Sequence, residues 1–483
     1  MRASAADPAS KAPPGLIRRL RLGEAAKGLV LAAVVAAPWI PSGAFHGTQA
    51  ATRPGEARSL GALQNLLERR PADDPLRAFY AARDHRPLWV TGGAEGGPRP
   101  EAYEVLALVR AAARDGLDPG RYRPEALTVR LQAARGGAPA ELARAEVAVS
   151  EAFAAYVVDL RTPPEPARLA FMDSELTPPA VGALAVLDAA ARAPSLAAHV
   201  RAAARMNPVY EELRAALAEH RARSGGVATE RLILANMDRA RGLPRALGPR
   251  FILVNAASAE LRVYEDGEEV DRMPVIVGRP SAATPPMAGV IRYARFRPYW
   301  NLPEGMVREE FAPRVLREGP GFLAAAGFEA LSDWSPQARV LDPAEIDWRA
   351  VARGERSLRL RQSPGPGNIL GNVKLMLPNH LGIYLHDTPD KASFRRSRRT
   401  LSAGCIRLAD ADRLTRRLLE WEEGERPPEG LNQRVDLPRG VPVYILYLTA
   451  ERGEGGEVLR HPDLYGRDSQ VIAARAGDQN LRT

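Results

Sequence analysis

The chain of 483 residues contains one cysteine, Cys405. A solitary thiol excludes any disulfide within the chain. It leaves two readings: an inert buried side chain, or a reactive group tuned by its neighbours. No metal site is expected either, because His380, His386 and Cys405 lack ligand spacing and a fourth partner. Internal repeats and long low-complexity tracts are absent. No apolar run after the first fifty residues approaches the length of a membrane span. Lysine is scarce, and the net charge of +9 is carried almost wholly by arginine. Such a charge suits nucleic acid, an anionic membrane surface or an acidic polymer, and it does not choose among them. No nucleic-acid-binding module is recognisable, which removes the first.

What is present is ordinary globular composition, 45% hydrophobic and 26% charged, with length for two or three domains. The 41 Gly and 42 Pro imply many loops. At the N-terminus Arg18, Arg19, Arg21 and Lys27 precede an apolar stretch, Leu29 to Ile40, and the small residues Ser42, Gly43 and Ala44 follow. Basic flank, short greasy core and small-residue exit describe a secretory signal. At about 1.5 Å per residue the stretch reaches about 18 Å, short of a hydrocarbon core of about 30 Å. Residues 1–44 are expected to be a signal peptide, or an inner-membrane anchor if Ala25, Ala26 and Gly28 lengthen the segment. Either way the protein is expected in the periplasm.

Residues 45–59 read as a polar linker. From 60 to 242 apolar side chains recur at helical intervals, as in Leu60, Leu63, Leu66 and Leu67, or Tyr103, Val105, Leu106 and Val109. This section carries no chemistry-bearing cluster and reads as a helical scaffold. Near Pro249 the period changes. Phe251–Val254, Ala259–Tyr264, Glu269–Val277, Val290–Phe296, Asn372–Leu377, Leu381–His386 and Val441–Leu448 are strand candidates, and Asp266-Gly267 suits a tight hairpin turn. The expected fold class is α+β: a helical scaffold domain, 60–242, then a mainly antiparallel β domain, 250–448. A Pro/Gly-rich insertion at about 303–366, with helical stretches at Val307–Arg317 and Pro343–Val351, has the size of a lid. Residues 449–483 read as a loose polar tail.

Two segments carry the chemistry. In Leu381–Pro389 a strand ends at His386; in Leu401–Leu408 the chain returns at Cys405 after a basic loop. A hairpin-like return would set imidazole beside thiol. A thiol of pKa about 8.5 is only a few per cent ionised at neutral pH, and an adjacent imidazole creates the thiolate. Gly404 allows close backbone approach to a substrate, and its amide and that of Cys405 are candidate oxyanion donors.

These segments resemble the L,D-transpeptidases with a YkuD-type catalytic domain. That family pattern is a His, a gap of fifteen to twenty residues, then Ser/Thr-His-Gly-Cys, an apolar residue and Asn or Arg. Ser402, Gly404, Cys405, Ile406 and Arg407 fit it, with His386 nineteen residues before the cysteine. The likeness is closer to the large scaffold-bearing, YcbB-like subtype. Its Tyr-x-His-Asp-Thr-Pro is found at Tyr384, His386, Asp387, Thr388 and Pro389. Trp300, Asn301 and Pro303 fit its Trp-Asn-x-Pro, and Arg361, Gln362, Pro364, Gly365 and Pro366 fit its Arg-Gln-x-Pro-Gly-Pro. Thr284-Pro285 fits the family's Thr-Pro. One departure is Ala403, which stands where the family has a second His. The peptidoglycan-binding module usual in the subtype has no counterpart between Arg223 and Thr229.

The resemblance implies a cysteine acyltransferase that needs no cofactor. Cys405 would be the nucleophile and His386 the general acid and base. Gly404 would supply an oxyanion amide, Tyr384 would line the oxyanion pocket, and Asp387 or a nearby carbonyl would orient the imidazole. Arg407, Asn301, Trp300 and Ser402 would bind substrate. The substrates implied are peptidoglycan stem peptides, a donor tetrapeptide that loses D-Ala and an acceptor amine, joined in a 3–3 cross-link. Carbapenem-type β-lactams would be covalent inhibitors. Two other readings stand beside this one: an L,D-carboxypeptidase or endopeptidase of the same family, and a catalytically silent wall-binding scaffold protein.

Overall fold

The computed structural model describes residues 54–480 except Ala94 and Pro336. From Pro54 the expected 45–59 linker is instead helix, while the expected signal or anchor and the rest of the linker lie outside these residues. Among them no helix is long and apolar enough to cross a membrane.

The helical region opens with α1 (Pro54–Glu68) and α2 (Pro75–Ala81). Asp74 caps α2 by accepting from the Leu76 amide, and Pro75 stands at its start, where a missing N–H costs nothing. Proline opens α3 (Pro100–Arg110), α4 (Pro124–Ala134), α5 (Pro139–Arg161) and α8 (Pro208–Ala222) in the same way. Many prolines thus mark helix starts and not loops. A small hairpin, β1 (Val90–Thr91) with β2 (Gly97–Pro98), and a short strand, β3 (Ala170–Phe171), interrupt the helices. The set is completed by α6 (Ala183–Arg192), α7 (Leu196–Ala202) and α9 (Val227–Arg241).

The axis of this region is α5. It buries Val149, Phe153, Tyr156 and Leu160 against its neighbours. Glu146 of α5 is wholly buried, yet accepts from the Tyr80 hydroxyl at 2.6 Å and from the amides of Leu88, Trp89 and Val90. Four donors offset the desolvation of one carboxylate, and they fix α2 and the following loop against α5.

The β region starts with β4 (Arg250–Asn255), β5 (Glu260–Glu265), β6 (Glu268–Gly278) and β7 (Met287–Phe296). Asp266 and Gly267 both have positive φ, 49° and 90°, as a two-residue hairpin requires. An insertion follows. It holds β8 (Trp300–Asn301), β9 (Phe328–Leu331), β10 (Val340–Leu341) and β11 (Arg359–Gln362) as an antiparallel sheet. Four short helices accompany it: α10 (Glu304–Met306), α11 (Ala312–Glu318), α12 (Gly321–Ala325) and α13 (Trp348–Arg353). Leu302, Val315, Leu323, Trp348 and Leu360 give this insertion a core of its own, so it is a small folded unit.

The chain re-enters the main sheet with β12 (Val373–Met376), β13 (Leu385–His386), β14 (Thr400–Ser402) and β15 (Ile406–Leu408). After α14 (Ala411–Leu419) comes the long β16 (Gln433–Leu446). The order β12-β13-β15-β6-β5-β4-β16-β7 closes on itself, because β7 also pairs β12. Most pairs are antiparallel, as expected, but β4–β16, β13–β15, β14–β6 and β3–β7 are parallel. Helical and β regions are joined: β3 adds to β7, and Leu169, Leu243, Leu247, Phe251 and Tyr444 form a shared apolar cluster.

The expectation of a loose polar tail is corrected. Residues beyond 449 form β17 (Ala450–Arg452), β18 (Val458–Arg460) and α15 (Asp468–Asn480). Val471 is buried beside Ala167 and Ala235. Asp468 pairs with Arg239 at 2.7 Å and Arg475 with Asp238 at 2.8 Å. The segment is held mainly by ion pairs, whose partners look like solvated polar residues in a sequence.

Candidate functional site

β13 and β15 run parallel, with Leu385 opposite Ile406 and His386 opposite Arg407. The return from His386 to Cys405 is therefore a crossover along β6 through β14, and not a hairpin. Strand alternation sends Leu385, Ile406 and Leu408 into the core. His386 and Arg407, with Tyr384 and Cys405 two residues before them, share the opposite face. Lys374 of β12 stands opposite His386 and joins it.

The half-buried thiol of Cys405 donates to the Gly382 carbonyl at 3.5 Å, and the Tyr384 hydroxyl faces it and favours the thiolate. The side chain of Trp300 reaches that hydroxyl from the insertion. The Lys374 ammonium lies 4.5 Å from the centre of the Tyr384 ring, and the Tyr384 and His386 rings meet edge-on at 5.6 Å. His386 is 4% exposed, with Nδ1 at 2.5 Å from the Asp387 carbonyl. A carbonyl only accepts, so Nδ1 carries the proton and Nε2 keeps its lone pair.

Burial, then the positive charges of Arg407 and Lys374, pushes the His386 pKa down to about 3. Burial also pushes the Cys405 thiol up, against Tyr384, Lys374 and Arg407, which favour the thiolate. The resting pair is a neutral thiol and a neutral imidazole. An unfolded imidazole titrates near about 6.5, so the unfolded state takes up a proton that the folded state refuses. Stability is then fully present above about pH 6.5 and is lost as pH falls toward 3. Urea midpoints should decline across that window, and His386→Gln should flatten the decline; parallel profiles for the two proteins would contradict a buried neutral imidazole.

The turn before Cys405 departs from expectation in two ways. Ser402 is 2% exposed and donates to the Cys405 carbonyl at 2.6 Å while accepting from the Gly404 amide at 3.1 Å. It is a clip for the turn and not a substrate ligand. Gly404 is not an oxyanion donor, because its amide is spent on Ser402 and its carbonyl accepts from Thr284 Oγ1 at 2.8 Å. Its φ of +115° is what the turn needs from glycine. Of the two candidate amides, that of Cys405 is the one without an acceptor among the described residues.

Asp387 orients His386 through its carbonyl and not through its carboxylate. The carboxylate accepts from the Asn372 amide at 2.9 Å and from Lys391 at 2.6 Å. It lines a cavity of about 560 Å³ with Phe296, Val373 and Ala411. Gly371, at φ +59°, abuts it: a Cβ there would stand 2.3 Å from Asp387 Oδ2. Gly371→Ala should destabilise the protein by about 1–3 kcal/mol and lower activity by displacing the carbonyl that holds His386. An unchanged melting temperature and rate would refute this.

Asn301 is not at the site. It is exposed, and its side-chain oxygen accepts from Arg359 Nη2 at 3.0 Å. Its neighbour Trp300 points the other way, toward Tyr384.

Comparison with known proteins matches residues 249–445 to the L,D-transpeptidase catalytic domain and residues 74–217 to a scaffold domain. The chain carries an L,D-transpeptidase catalytic domain. A curated Haemophilus influenzae protein named "Putative L,D-transpeptidase" is 33% identical over 229 residues, which are 46% of this chain and 45% of that one. The chain thus spans less than half the length of this relative. Solved structures that overlap it include an L,D-transpeptidase from Mycobacterium smegmatis (14% identity, 41% of this chain and 58% of that chain, TM-score 0.21). Another is L,D-transpeptidase 3 from Mycobacterium tuberculosis with a faropenem-derived adduct (16%, 41% and 60%, TM-score 0.21). Overlaps this low add nothing to the argument.

In this transpeptidase domain Ala403 is exposed, so a His there would face solvent and would not pack under the thiol. Lys374 escaped the sequence reading. Alternation in Val373–Met376 hinted that it leaves the core, but its neighbours His386 and Arg295 come from strands that only the fold brings together.

Proposed function

We propose that the transpeptidase domain forms 3–3 cross-links in peptidoglycan through a cysteinyl thioester. The observation that carries this is the shared face of β13 and β15, where Arg407 stands opposite His386, Cys405 lies two residues before Arg407, and the imidazole Nε2 has no partner among the described residues. Cys405 attacks the carbonyl of meso-diaminopimelate at position three of a donor tetrapeptide. Its proton passes to His386 Nε2 and then to the amine of the departing D-Ala. A side-chain amine of a second stem attacks the thioester, gives its proton to His386, and the thiol is regenerated. The Cys405 amide and the Tyr384 hydroxyl face the oxyanion. Arg407 is half-buried with an unpartnered Nε, and a substrate carboxylate would satisfy it. Because the resting pair is neutral, charge separation is left to the moment when substrate and lid exclude water.

The domain works, in this reading, in the periplasm after export by residues 1–44, and it is acylated by carbapenems. Purified protein incubated with disaccharide-tetrapeptide should release D-Ala and yield a dimer with the mass of a 3–3 cross-link. Release of D-Ala with tripeptide as the sole product would instead establish the carboxypeptidase.

A further inference from the structure

The register of the main sheet places Arg434 opposite Arg295, Arg295 opposite Lys374, Lys374 opposite His386 and His386 opposite Arg407. Directly paired residues point to the same face, so five basic side chains stand in one row across β16, β7, β12, β13 and β15. The flanking residues Ala294, Phe296, Val373, Leu375, Leu385 and Ile406 go into the core, which confirms the row as outward. Like charges set directly opposite one another repel, so the row is unfavourable unless something neutralises it. Arg434 is neutralised by Asp436 at 2.6 Å. Arg295 donates to the Asn432 carbonyl at 2.9 Å. Among the described residues neither Arg295 nor Lys374 has a carboxylate partner. Elsewhere among the described residues many arginines are engaged by acids, some by more than one, as at Arg262, which meets Glu260 and Glu451.

We propose that Lys374 and Arg295 form a subsite for a carboxylate of the peptide substrate, on the β12–β7 side of the nucleophile. The inference rests on the transpeptidase reading and names a recognition element within it. Strands lie about 4.8 Å apart, so the stretch from Arg407 to Arg295 measures about 14 Å, and four extended residues reach about 13 Å. A stem peptide laid across the strands therefore meets Arg407 near the reacting carbonyl and Lys374 with Arg295 further along. Both side chains are half-buried, which screens them from salt less than a solvated surface arginine. Lys374 also packs its ammonium against the Tyr384 ring, and that contact ties the subsite to the residue facing the thiol. With burial and Arg295 lowering the Lys374 pKa to about 8, an arriving carboxylate also restores its full charge at neutral pH.

The test measures binding on full-length Cys405→Ala protein, which cannot turn over. The probes are disaccharide-tetrapeptide with free carboxyl groups and the same compound with its carboxyls converted to carboxamides, each titrated at low and at physiological salt. The acid should bind at least tenfold more tightly than the amide. Added Lys374→Met or Arg295→Gln should shrink that preference at least threefold with little effect on amide affinity, and Lys374→Arg should keep it. A preference that shrinks less than threefold in both substitutions, or no preference at the start, overturns the subsite. Arg295→Gln serves alone if Lys374→Met fails to fold. Failure of the parent reading shows elsewhere: intact protein that binds the acid selectively yet never releases D-Ala is no transpeptidase, but still carries the subsite.

Discussion

Cys405→Ala is expected to reduce D-Ala release by at least about a thousandfold and to abolish the mass increment left by a carbapenem. The folding stability should stay within about 1 kcal/mol of wild type, since a half-buried thiol with one long hydrogen bond contributes little. His386→Gln should cost about 10²–10⁴-fold in rate. It removes the ring nitrogen that the proposed mechanism uses to take the thiol proton while leaving the strand pairing intact. The two effects should not add, because each substitution disables the same proton transfer. D-Ala release at a wild-type rate from either variant would move the chemistry away from this face.

Asp238→Ala is expected to be the most destabilising substitution outside the site, by about 3–5 kcal/mol in urea unfolding. Asp238 is 1% exposed and is shared between the buried Arg241 at 2.5 Å and Arg475 of α15 at 2.8 Å. Arg241 also donates to the Asp115 carbonyl at 2.6 Å, and Asp115 accepts from Arg214 and from the Tyr156 hydroxyl. Removing the carboxylate strands two guanidinium groups inside the network and leaves α15 tied to α9 by the Asp468–Arg239 pair and the Val471 contact. The effect should reach the active-site side, because Tyr465, just before α15, donates to the Gly278 carbonyl next to the Thr284 that holds Gly404. A loss below about 1 kcal/mol would mean that water reaches the pair and that the C-terminal segment is not a structural clasp.

Much of the architecture was legible in local patterns. Apolar spacing in 60–242 marked helices, and Asp266-Gly267 marked the β5–β6 turn, since these signals depend on near neighbours along the chain. Misreadings fell where stability comes from distant partners. The insertion read as Pro/Gly-rich with two helical stretches, and its sheet and core went unseen because that core, from Leu302 to Leu360, is gathered from short segments. The C-terminal segment looked loose because its anchors are Arg239, Asp238 and Arg475, polar in sequence and buried in pairs. At the site, Ser402 and Gly404 were recognisable as important, but their roles depend on a turn in which one satisfies the other.

The amino-acid sequence by itself determined that one thiol and one nearby imidazole were the reactive pair on offer, through Cys405, His386 and the motif residues around them. It also set the faces of the strands, because alternation is a property of a single strand. Which strands would stand side by side was decided by the tertiary structure. The parallel pairing of β13 with β15 sets Arg407 beside His386, and closure of the sheet through β7 and β12 brings Lys374 and Arg295 alongside. Strand neighbours that are distant in sequence leave no local signature, so the electrostatics of the site emerge only once the chain is folded.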